Sequence, residues 1–95
     1  MTIITDAKKL LNECQRTEGS IYDLISFSGC KDDWDSIYSL IERVQKMMDE
    51  CNKMFLMLSA TEQCSKIITK RNHLRRMSMR LGAAVMYAKN HFKID

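Results

Sequence analysis

Between Asp33 and Ser59, the residues Trp34, Ile37, Ile41, Val44, Met48, Cys51, Phe55 and Leu58 follow one another at spacings of three and four, in a chain that contains no proline. This is the a/d seam of a long helix, and such a seam is stable only when another helix covers it. Leu40, Met47 and Met54 add a second apolar line along one edge, which makes the stripe too broad for one neighbour. Asp32, Asp33 and Asp35 supply caps and favourable charge at the start of this helix, and Ser28-Gly29 makes the break before it.

A second seam follows. Ser59 and Glu62 have the spacing of a capping box, and beyond them Cys64, Ile67, Arg71, Leu74, Ser78, Leu81, Val85, Ala88 and Phe92 keep heptad register, with Arg71 and Ser78 at core-type positions. Two helices joined by so short a turn run antiparallel, each reaching roughly 40 Å at 1.5 Å per residue. Upstream, Thr5 can cap a helix through Ala7, Leu11, Cys14, Ile21 and Ile25, but Thr17-Glu18-Gly19-Ser20 predicts either a kink or a split there. The expected fold is therefore all-α: an antiparallel helical hairpin of two long helices with a shorter or kinked N-terminal helix, forming one domain over residues 1–95. A short first helix leaves the broad stripe partly uncovered and predicts a homo-oligomer, with Leu40, Met47, Met54, Met57 and Met79 as interface residues.

Charge is distributed unevenly along this pattern. Residues 1–63 carry 7 Lys and Arg against 11 Asp and Glu, whereas residues 64–95 carry 8 against 1. The basic part is a helical run, Lys70-Arg71-Asn72-His73-Leu74-Arg75-Arg76-Met77-Ser78-Met79-Arg80. On a helical wheel it separates into two lines. Arg71, Arg75, Ser78 and Gly82 lie along one edge of the buried seam, and His73, Arg76, Arg80 and Tyr87 lie toward the outside. Arginine forks suit phosphate and carboxylate, and Gly82 removes bulk beside them. These eight residues are the candidate site for an anionic partner. The competing reading is structural: Glu18 sits at a core-type position of the first helix, at about the level of residues 75–78 on the last, so Arg75 answers it and Gly82 lets two helices cross closely.

Other chemistry is poorly represented. Cys14, Cys30, Cys51 and Cys64 occur without a Cys-x-x-Cys pair, and the two histidines are far apart, so no metal site or cofactor is expected. The cysteines read as reduced, three of them as small core hydrophobes. No phosphate-binding loop, nucleophile elbow or acid/base constellation is present, which argues against an enzyme. The N-terminus has no secretory pattern and no apolar run approaches a membrane span, so a soluble cytoplasmic protein is expected.

A net charge of only +3 and the acidic stripe Asp35, Glu42 and Asp49 weigh against duplex DNA. The expected function is that of a non-enzymatic regulatory or binding protein. It engages an acidic protein surface or a nucleotide-type ligand through its basic helix, as an inhibitor or ligand-sequestering protein of the kind phages encode. The alternatives are an assembly subunit acting through helix–helix contacts alone, and a nucleic-acid-binding helical protein.

Overall fold

The computed structural model describes residues 2–27 and 34–93, which form three helices: α1 (Thr2–Phe27), α2 (Trp34–Ser59) and α3 (Ser65–Phe92). The expected break at Ser28-Gly29, the caps Asp32 and Asp33, Cys30 and the side chain of Trp34 lie outside the described residues. No strand occurs among the described residues, and all three helices pack on one another. The molecule measures 48 × 21 × 17 Å, the shape of a bundle whose helices run its whole length.

The core follows the sequence seams. Ile37, Ile41, Val44, Cys51 and Leu58 of α2 are buried against Ile67, Leu74, Leu81, Val85, Ala88 and Phe92 of α3 and against Ala7, Cys14, Ile21 and Ile25 of α1. Each large aliphatic side chain removed from water in this way contributes about 1.5–3 kcal/mol before chain entropy is subtracted.

The first helix differs from the expectation. It is one unbroken element of 26 residues, as long as α2. The Thr-Glu-Gly-Ser segment stays helical because its polar groups find partners inside the helix: Thr17 Oγ1 donates to Glu13 O at 2.8 Å and Ser20 Oγ to Arg16 O at 3.0 Å. Gly19 faces open space, and its backbone cost of about 1 kcal/mol is outweighed by burial of Ile21 and Ile25 beyond it. Because α1 is full length, it also covers the second apolar line of α2. Leu40, Met47 and Met54 are half-buried against the core, while Met57 and Met79 are exposed.

The α2–α3 connection also departs from the capping-box expectation. Ser59 closes α2 rather than opening α3, its hydroxyl donating to Phe55 O at 2.8 Å. Gln63 Nε2 donates to Leu58 O at 2.9 Å and to Thr61 O at 2.6 Å, tying off the end of α2. Helix α3 begins after Cys64, an extended N-cap without a side-chain cap bond, and Cys64 is exposed rather than part of the core seam.

Candidate anion-binding groove

In an up-down-up bundle α1 and α3 run parallel, and the contacts follow that order. Ile4 and Lys8 lie beside Ser65–Lys70, Leu11 and Gln15 beside His73–Arg80, and Tyr22 beside Tyr87. The shallow channel between these helices is where the outer basic line falls.

Its middle is an open groove of about 430 Å³ lined by Leu11, Gln15, His73, Arg76, Met77 and Arg80. Toward the N-terminal end of α3 the same pair of helices forms a second depression of about 410 Å³ lined by Ile4, Lys8, Ser65, Lys66, Thr69 and Lys70. Lys66, Lys70, His73, Arg76 and Arg80 thus succeed one another on the α1-facing side of α3 at spacings of four, three, three and four, over about 21 Å of helix. At the far end the Tyr22 and Tyr87 rings meet at 6.0 Å between centroids, tilted by 45°, both exposed.

Within this line Arg80 is fixed and Arg76 is not. Glu18, 8 % exposed, receives both arms of the Arg80 guanidinium: Nε donates to Oε2 at 3.1 Å and Nη2 to Oε1. The bidentate fork satisfies the buried carboxylate while leaving the arginine side chain 55 % exposed along the groove wall. The structural expectation for Glu18 is thus met by a different arginine. Arg80, assigned to the outer line, makes the pair, whereas Arg75 is exposed with no ion pair among the described residues. Arg76, Lys66 and Lys70 likewise have no acidic partner among the described residues. Nearby acids of α1 face elsewhere: Asp6 and Glu13 line the α1–α2 groove with Glu50, beside Lys9 and Lys53.

Three members of the inner line, Arg71, Ser78 and Gly82, face α2 and are engaged by neutral groups. Arg71 Nη1 donates to Gln63 Oε1 at 3.2 Å, and its guanidinium carbon lies 5.9 Å from the Phe55 ring centroid. Ser78 Oγ donates to Asn52 Oδ1 at 3.3 Å. A Cβ at Gly82 would meet the Met48 terminal methyl at 3.3 Å, so the space beside Gly82 is filled by a methionine of α2. The eight candidate residues therefore do not form one site. Arg71, Ser78 and Gly82 belong to the α2–α3 seam, and His73, Arg76 and Arg80 to the α1–α3 groove.

Lys8, Gln15 and Lys66 join the groove without having been singled out in the sequence, and Lys70 and Leu11, noted there as part of the basic run and of the first seam, join it without having been placed in a site. The signal that finds them is the three/four spacing from Lys66 to Arg80 combined with a parallel α1. No cluster of metal-ligating side chains occurs among the described residues, and no described helix is long and apolar enough to cross a membrane.

Fold and groove together define a small three-helix protein with a basic channel along one of its inter-helix grooves. Compared with known proteins, the chain matches no family model, no curated protein and no solved structure.

Proposed function

We propose that the chain is a non-enzymatic binding protein that holds an acidic protein partner along the α1–α3 groove. The observation that carries this reading is the row of cations from Lys66 to Arg76, unanswered by any described acid and set beside an apolar floor of Leu11 and Met77. Carboxylates one helical turn apart on a partner helix repeat at about 6 Å, close to the four-residue steps of this row. A nucleotide-sized ligand is the weaker fit, because small-molecule sites enclose most of their ligand and this groove is shallow and drawn out along two helices.

The test is binding of poly-L-glutamate, followed by anisotropy at low and high salt. Saturable binding that weakens with salt and is lost in Lys70→Glu/Arg76→Glu supports the reading, as expected for a charge-led interface. A second reading draws on the Tyr22–Tyr87 pair at the end of the cationic row. Exposed aromatic rings beside a basic stripe are the ingredients of single-strand nucleic-acid binding. A labelled oligonucleotide that binds far more tightly than poly-L-glutamate, and loses affinity in Tyr87→Ala, would replace the acidic-protein reading with this one.

A further inference from the structure

Cys14 of α1 and Cys51 of α2 are both fully buried, and their sulfurs lie 3.4 Å apart, in hydrogen-bond contact, although the residues are 37 apart in sequence. No helix-packing requirement asks for two sulfurs here; any small apolar pair would fill the space. We propose that Cys14 and Cys51 form an oxidation site, a thiol pair that a hydroperoxide converts into a disulfide joining α1 to α2.

Three observations bear on this. The sulfurs need to close by only about 1.4 Å to reach bonding distance, which side-chain rotation and a small approach of the two helices can supply. The groove on the α1–α2 face is lined by Glu13 and Glu50, the immediate chain neighbours of the two cysteines, together with Leu10, Lys53 and Met54. A molecule as small as hydrogen peroxide can therefore reach the pair from this groove on transient opening of the seam. Contact with Cys51 and burial both hold the Cys14 thiol above its ordinary range, and the same contact lowers that of Cys51.

The chemistry balances without any group from outside the pair except the oxidant. One thiolate attacks the peroxide oxygen, giving a sulfenic acid and hydroxide. The second thiol then attacks the sulfenic sulfur, forming the S–S bond and releasing water. Two thiols and one hydroperoxide give one disulfide and two waters, or one water and an alcohol for an organic peroxide. The link would fasten α1, which carries Leu11, Gln15 and Glu18 of the basic groove, to the hairpin.

The test treats the folded full-length chain with hydrogen peroxide, blocks remaining thiols, and maps tryptic peptides. The expected result is that the peptide spanning residues 10–16 is joined to the one spanning 47–53 with loss of two hydrogens. Dithiothreitol should reverse the link, and the linked chain should melt at a higher temperature. The link should persist in Cys64→Ser, which removes an exposed thiol and with it one route through disulfide exchange. The yield should drop about tenfold or more when the chain is treated in denaturant, where a loop of this length rarely closes. Recovery of the two peptides separately from the folded chain, as free thiols or as sulfinic acids, would overturn the proposal. So would equal yields from folded and denatured chain.

Discussion

The two sides of α3 carry the same residue types to different ends. Toward α2, Arg71 is occupied by Gln63 and the Phe55 ring, Ser78 by Asn52, and the space at Gly82 by Met48. Toward α1, a single buried acid, Glu18, engages Arg80, and the row of Lys66, Lys70 and Arg76 has no counter-charge among the described residues. Arginine content does not separate the two sides; what separates them is the neighbouring helix each one faces. Helix α2 offers amide and aromatic groups, so its seam is complete as it stands, whereas α1 turns Asp6 and Glu13 toward α2 and, among the described residues, sets no acid against Lys66, Lys70 or Arg76.

The largest effect expected from this contrast is on binding. Lys70→Glu/Arg76→Glu should lower affinity for poly-L-glutamate about a hundredfold, since each reversal replaces an attraction by a repulsion worth about 1 kcal/mol or more. Both residues lie outside the buried core, so the melting temperature should hardly move. Anisotropy and thermal melts on one preparation check both halves. Affinity retained after both reversals would erase the distinction between the two sides.

Next in size is the Glu18–Arg80 pair. Arg80→Ala leaves a carboxylate at 8 % exposure without its partner and should destabilise the fold by about 1–2 kcal/mol. That is below the cost of breaking a wholly buried pair, because Arg80 is itself more than half exposed and water can partly solvate what remains. Glu18→Gln in the same background should recover much of the loss, and urea titrations of the four-member cycle measure the coupling. Additive losses would mean that the fork does not hold Arg80 in place.

The glycines sharpen the contrast between an open site and a filled one. Gly19→Ala meets nothing and should stabilise by up to about 1 kcal/mol through helix propensity. Gly82→Ala gains the same propensity but presses on the Met48 methyl, which can shift by a few tenths of an ångström, so its net gain should be smaller. Neither change should alter poly-L-glutamate binding. A Gly82→Ala variant that folds normally but loses binding would move the site to the α2–α3 seam.

Much of this architecture was legible because apolar spacing and burial coincide in α2 and α3, from Ile37 to Leu58 and from Ile67 to Phe92. The exceptions share a cause: local signals were weighed without the tertiary partner that decides them. Gly19 between Glu18 and Ser20 reads as a break until the burial of Thr17, Glu18 and Ile21 is counted. Ser59 reads as an N-cap until its hydroxyl is seen to bond back to Phe55. The buried character of Glu18 was readable from its seam position, but its partner was not. Arg75 and Arg80 are little more than a turn apart along α3 but about 140° apart around it, on opposite flanks of the seam, and the flank of α3 on which α1 packs, which the heptad pattern does not specify, selects between them. The groove itself needs two helices, so Lys8, Gln15 and Lys66 carry no signal when each helix is read alone.

The smallest expected effect is the most discriminating. Arg71→Gln/Arg75→Gln removes two of the charges that stand out in sequence, yet both residues lie away from the α1–α3 groove. Arg71 loses one hydrogen bond to a neutral amide and a cation–π contact, each partly exposed, for a combined cost of about 1 kcal/mol or less. Arg75, exposed and without an ion pair among the described residues, should cost nothing measurable. Gln keeps the helix propensity of the positions, so the melting temperature should fall by only a few degrees at most. Affinity for poly-L-glutamate should drop less than about threefold, through the loss of long-range attraction alone, and that part should vanish at high salt. A loss as large as that of Lys70→Glu/Arg76→Glu, persisting at high salt, would show that the anion is held on the side of α3 that faces α2, and the contrast between the two sides would have to be reversed.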